Sequence, residues 1–218
     1  EVFTKHDNLT LMVTLNSDGS IDKEVIASIA SAHKCDPQFA EDWAFFKALF
    51  KKPGLQMASM TITEKGYSLS SSDGSFHPAV KADIEAGPEK SSLFIAKLTA
   101  LVHERYLAKA GPVALVSMDN CSHNGEKLAA AVKTIAEEWK VRGFVDAGFI
   151  TYLTEQVSYP WSMIDKITPR PDETVKRMLE ADGFEDSALI ITDRHTYTAA
   201  FVNAEAPQYL VIEDSFAN

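Results

Sequence analysis

One stretch constrains this chain more than any other: Val113-Ala114-Leu115-Val116-Ser117-Met118, followed at once by Asp119-Asn120-Cys121-Ser122-His123-Asn124-Gly125. A short, almost unbroken apolar run reads as a strand covered on both faces, the situation of a strand inside a parallel sheet. Parallel strands need crossovers, so helices must flank it. The neighbouring sequence supplies them. Leu93, Ile95, Ala96, Leu98, Leu101, Val102 and Tyr106 give an apolar face to a helix over 91–110, closed by Gly111-Pro112. Residues 126–140 read as a second helix.

The same alternation runs along the rest of the chain. Residues 9–15 are a β-branched apolar run ending in the turn signal Asn16-Ser17-Asp18-Gly19. Residues 24–32 fit strand or helix equally. Asp36-Pro37 opens a helix carried by Phe39, Trp43, Phe46, Leu49 and Phe50 up to Pro53. Residues 55–63 read as a buried strand running into Glu64-Lys65-Gly66-Tyr67. Residues 68–88, rich in Ser, Asp, Gly and Pro, read as an exposed excursion, and 148–168 as irregular. Pro171-Asp172-Glu173 starts another helix, and 188–192 and 209–212 read as late strands. Buried strands alternating with amphipathic helices define an α/β fold with a parallel sheet.

Composition excludes several classes. At 218 residues, 45% hydrophobic and 24% charged, the chain is neither disordered nor a disulfide scaffold. A formal net charge of -10 disfavours nucleic acid and anionic membrane surfaces as partners. No apolar run approaches the roughly 18 residues of a membrane span. Glu1-Val2-Phe3-Thr4-Lys5-His6 lacks the order of a secretory signal, and two distant cysteines, Cys35 and Cys121, fit reduced thiols in a cytoplasmic protein. The chain opens on Glu1 rather than Met, which reads as processing or truncation.

Three segments could carry chemistry. In open α/β sheets ligands bind at the carboxyl ends of the strands, where Asp119 and Asn120 lie. An Asn there offers a donor that can polarise a carbonyl or hold an alkoxide. Alternatively both residues satisfy turn backbone and cap the next helix. Cys121, Ser122 and His123 invite a nucleophile-and-base argument, but no acid partner can be assigned and a lone His at a helix start is commonly structural. In the second segment, Thr61-Ile62-Thr63-Glu64-Lys65-Gly66-Tyr67, Glu64 could relay protons or simply pair with Lys65. The third is Tyr159-Pro160-Trp161-Ser162-Met163-Ile164-Asp165-Lys166-Ile167-Thr168-Pro169, where a carboxylate in apolar surroundings needs a partner: substrate hydroxyls, a cofactor amide, or Lys166 and local backbone. His spacing shows no metal motif, and no metal site is expected. Gly-rich phosphate turns and G-x-S-x-G are also not found.

Together MDNCSHNGE, YPWSMIDKITPRP and TITEKGY resemble the mannitol dehydrogenase family of long-chain polyol and sugar-acid dehydrogenases, and the stretch 203–218 is similar to the family's passage out of its cofactor domain. The resemblance implies a Rossmann-like parallel sheet that is incomplete, lacking the first βαβ unit and the C-terminal helical domain, with residues 1–218 forming the later part of the NAD(P)-binding domain. It implies metal-free hydride transfer between NAD or NADP and a secondary alcohol or ketone of a sugar alcohol or sugar acid. It implies that Asn120 helps hold the reacting oxygen, that Glu64 is linked to proton exchange with solvent, and that Asp165, with Thr63 and Lys166, lies on the substrate and cofactor side. Ile164 and Lys166 depart from the family's S-M-V-D-R-I-T-P, and Lys166 loses the Arg fork. Trp161 stands where mannitol enzymes commonly carry Asn, which turns the expectation from mannitol toward a sugar acid. The family's acid/base Lys arrangement is not found, so this chain alone is expected to be inactive. The competing expectation is a non-catalytic α/β module acting by association.

Overall fold

A computed structural model describes residues 2–165, 170–171, 173–191, 197–205 and 209–215. In chain order the elements are α1 (Val2–Lys5), β1 (Thr10–Leu15), β2 (Ile21–Ile26), α2 (Ala40–Phe50), β3 (Met57–Met60), α3 (Pro78–Ala86), α4 (Phe94–Leu107), β4 (Val113–Ser117), α5 (Asn124–Val141), α6 (Ala147–Glu155), β5 (Val157–Ser158), β6 (Ser162–Asp165), α7 (Glu173–Ala181), β7 (Ile190–Ile191), β8 (Tyr197–Thr198), β9 (Phe201–Glu205) and β10 (Tyr209–Ile212). They fall into two compact units, Glu1–His33 with Asp165–Tyr209, and Lys34–Ile164 with Leu210–Asn218.

In the second unit β3, β4 and β5 form a parallel sheet with β4 in the centre. Every residue of β4 is buried, as an apolar run without alternation requires. Helices α4 and α5 supply Leu98, Leu101, Val102, Leu128, Val132, Ile135 and Trp139 to the core that covers it. Two buried ionic side chains fix how these helices enter and leave. Asp83 in α3 accepts from the backbone N–H groups of Ser92 and Leu93 at 2.9 and 2.7 Å, capping the start of α4. Arg105, fully buried near the end of α4, donates to the carbonyls of Phe50, Lys52, Ala110, Gly111 and Pro112. Its charge is thus solvated by the backbone that ends α2 and the backbone that leads into β4.

In the first unit β1 pairs antiparallel with β2 and parallel with β9, and Val175 and Leu179 of α7 close a small core with Val13 and Phe201. The ambiguous 24–32 segment therefore begins as strand, in β2. Two expectations are corrected. Within the supposed excursion 68–88 lies α3, with Pro78 at its first turn and Val80, Asp83 and Ile84 buried. Its apolar residues follow helical spacing, but the Ser/Asp/Gly-rich run before them hides the start. Within 148–168 lie α6, β5 and β6; Asp146 caps α6 by accepting from Phe149 N–H at 2.9 Å.

Candidate active site

The site is assembled where β3 and β4 end. Their parallel register places Met60 beside Ser117, and Met118 N–H donates to Met60 O at 2.7 Å. The residues that follow each strand are therefore brought side by side. Asp119, 6% exposed, turns its carboxylate away from its own turn and onto the neighbouring one. It accepts from the backbone N–H groups of Ile62 at 3.0 Å and Thr63 at 2.8 Å, and from the Tyr67 hydroxyl. Tyr67 also shares a hydrogen bond of 2.7 Å with Ser117 Oγ. Burial, reinforced by the bond to Asp119, pushes the Tyr67 phenol well above its ordinary range. The phenol thus stays protonated as a donor to the carboxylate.

Asn120, the next residue, is exposed and enters no hydrogen bond among the described residues. The two sequence alternatives for Asp119-Asn120 divide between them: Asp119 serves backbone, and Asn120 presents an uncommitted amide at the carboxyl edge of the sheet. Thr63, opposite, has φ +64° and ψ 159°. That region is nearly confined to glycine, and holding a β-branched residue there costs about 1–3 kcal/mol. Glu64 starts the one-turn 3-10 helix Glu64–Tyr67 and is exposed. Its partner is Lys127 of α5, at 2.8 Å, and not Lys65. The ammonium beside it holds the Glu64 carboxyl below the usual carboxylate value, and the same pair raises Lys127. Glu64, Tyr67, Ser68, Lys127 and Thr134 line a cleft of about 410 Å³.

The start of α5 is locked to the Tyr159–Ser162 segment by a residue the motif reading passed over. Asn124, 1% exposed, donates from Nδ2 to Asp119 O at 3.0 Å and Ser162 O at 2.9 Å. Its Oδ1 accepts from Ser162 N–H at 3.1 Å and Gly125 N–H at 2.8 Å. Gly125 permits this approach, since a Cβ there would stand 2.2 Å from Tyr159 O. The signal was present in sequence as an Asn-Gly pair at a helix start, but its partner Ser162 lies 38 residues away. His123 pairs through Nδ1 with Glu126 at 3.0 Å and faces the Trp161 ring at 4.3 Å. Among the described residues no hydrogen bond joins it to Cys121 or Ser122, so no triad forms there. Strand β6 ends at Asp165 and pairs with β10. The Asp165 side chain and Lys166 lie outside the described residues. Among the described residues no group of three His, Cys, Asp or Glu could hold a metal ion, and no helix is long and apolar enough to cross a membrane.

A buried parallel strand that ends in a presented amide, next to a clamped turn and a helix start, defines a Rossmann-like ligand-binding domain of the α/β class. The model of the mannitol dehydrogenase Rossmann domain matches residues 1–218, and the chain belongs to the mannitol dehydrogenase family. The D-mannonate oxidoreductase of Thermotoga maritima is 47% identical over 218 residues, covering all of this chain and 40% of that protein. Among solved structures, D-sorbitol dehydrogenase in its substrate-free form matches with a TM-score of 0.79 at 25% identity, over 99% of this chain and 41% of that one. Mannitol 2-dehydrogenase of Pseudomonas fluorescens, in a ternary complex with NAD and D-mannitol, shares the fold with a TM-score of 0.76 at 22% identity, over 100% of this chain and 40% of that one. The chain spans about two fifths of the length of these relatives.

Proposed function

We propose that this chain is the later part of the cofactor domain of an NAD(P)-dependent oxidoreductase that moves hydride between the nicotinamide and a secondary alcohol or ketone. A sugar acid, in the mannonate–fructuronate sense, is the first substrate class to test. Identity of 47% to a protein named D-mannonate oxidoreductase supports that choice over a simple polyol, as does Trp161. The observation that carries the proposal is Asn120: an exposed amide with no hydrogen-bond partner among the described residues, set at the end of a fully buried parallel strand. Those features suit the nicotinamide-side edge of a dehydrogenase domain, and Asn120 and Thr63 are the described residues that would face the cofactor and substrate. Bound nicotinamide would supply or accept the hydride.

The chain's own part is to orient and to handle a proton. Asn120 Nδ2 would donate to the substrate oxygen, stabilising the negative charge that grows there as the alkoxide forms. Glu64, exposed and paired with Lys127, would pass a proton between the site and solvent. Asp165 and Lys166 enter on the resemblance alone. The principal acid/base and the rest of the substrate pocket belong, on this reading, to sequence outside 1–218.

The test is substrate-dependent oxidation of NADH or NADPH by the native-length enzyme, assayed with keto-sugar acids and with ketoses. Turnover with a keto-sugar acid supports the proposal. Turnover only with ketoses moves the substrate to polyols. Binding of another protein without any nicotinamide chemistry would replace the proposal with the association module.

A further inference from the structure

The three groups that converge on the Asp119 carboxylate all come from the turn that carries Glu64. The N–H groups of Ile62 and Thr63 reach it from before Glu64, and the Tyr67 hydroxyl from after it. The carboxylate therefore brackets Glu64 on both sides. The same residue is bonded covalently to Asn120. Ser117 Oγ steadies the arrangement from below, through Tyr67 at 2.7 Å and the Asp119 N–H at 3.3 Å.

Nothing in the sheet requires this clamp. The register of β3 on β4 is already set by their ladder and by Met118 N–H on Met60 O. Beyond the ladder, the carboxylate holds Thr63 at a positive φ that a β-branched residue leaves when nothing opposes it. Among the described residues no Lys, Arg or His pairs with Asp119, so its buried side chain is held by backbone and phenol donors alone. Backbone strain of this kind persists only where the surrounding bonds over-determine it, and it clusters at functional sites.

We propose that Asp119 is a positioning residue that clamps the Ile62–Tyr67 turn to the end of β4, fixing the placement of Glu64 against Asn120 during the reaction. The inference rests on the hydride-transfer function proposed above. It adds a residue that touches neither substrate nor cofactor and acts through Glu64, the proposed relay, and Asn120, the proposed substrate contact.

The experiment substitutes Asp119→Asn in the native-length enzyme. The side chain keeps its size, but one acceptor oxygen becomes an NH₂ group that cannot receive an amide proton. Hydrogen exchange in the segment containing Ile62 and Thr63 is expected to speed up about tenfold or more, with exchange in α5 unchanged. The kcat is expected to fall about tenfold to a hundredfold with KM within about threefold, and the pH profile of kcat to shift as the proton-relaying carboxylate loses its setting. Tyr67→Phe removes one of the three bonds, and is the variant to use if Asp119→Asn does not fold; its kcat is expected to fall by about threefold to tenfold. Faster exchange with unchanged kcat and pH profile would overturn the positioning role. Unchanged exchange in both variants would overturn the clamp. If the wild-type enzyme has no nicotinamide-dependent activity, the proposed function fails, and exchange still decides whether the clamp exists.

Discussion

Asn120 and Asp119 are neighbours with opposite fates, and the difference decides what each substitution should do. Asn120 is exposed and has no hydrogen-bond partner among the described residues, so Asn120→Ala is expected to leave stability within about 0.5 kcal/mol. The same change should lower kcat by about tenfold to a thousandfold, the scale for loss of one oxyanion donor. Thermal unfolding and steady-state kinetics on one preparation check both halves. At Thr63 the backbone can be separated from the side chain. Thr63→Ala keeps the strain, and Thr63→Gly removes it, so the Gly variant is expected to melt higher than the Ala variant. Glu64 gives a pH prediction. Its carboxyl is lowered by Lys127, so the contribution of the pair to stability is present above the ordinary carboxylate pKa and lost as pH falls through the lowered value. In Lys127→Met the Glu64 midpoint, followed by carbonyl NMR, should move up toward the usual range. At this scale the presence of a polar pair at a strand end was legible, because strand ends are where α/β sheets bind. The division of labour between Asp119 and Asn120 was not, because the amides that claim Asp119 come from residues 56 and 57 positions earlier in the chain.

The elements legible in sequence were those with a strong pattern of their own. The apolar run of β4 and the faces of α4 and α5 appear with bounds shifted by a few residues. Helix α3 was hidden behind a Ser/Asp/Gly-rich run. Helix α6 was hidden because its apolar residues adjoin a Pro- and aromatic-rich stretch whose irregularity dominates the window. What joins the elements was the least legible of all. Asn124 ties α5, β4 and β6 through bonds that no local pattern specifies, and Gly125 leaves room for them. Gly125→Ala is expected to destabilise by about 1–3 kcal/mol, since the methyl would meet backbone at Tyr159 rather than a flexible side chain. Arg105→Met should cost about 3–5 kcal/mol, because five carbonyls lose their donor in a buried place. Urea unfolding monitored by tryptophan fluorescence reads both.

For the whole molecule, the match over residues 1–218 places an ordinary acidic α/β chain in the mannitol dehydrogenase family. On the proposed function the chain would contribute an oxyanion donor, a proton-relay carboxylate and the clamp between them, and it spans about two fifths of the length of the relatives named above. Its response to alkali is a property of the assembled interior. Tyr67, Tyr106, Tyr152 and Tyr159 all have phenols raised above the ordinary value, Tyr106 mainly by its bond to Asp146 and the others mainly by burial. A raised folded-state pKa gives stability that is complete below the unfolded phenol value, about 10, and is lost as pH climbs through the raised one. Ionisation of these four phenols and loss of helix are therefore expected to rise together above about pH 10. The proposed hydride transfer is read from the nicotinamide absorbance of the native-length protein mixed with NADH or NADPH and the keto-sugar acid related to mannonate. Steady oxidation of the cofactor that requires the keto-sugar acid is the expected result; no oxidation with that substrate, any related keto-sugar acid or any ketose would contradict it.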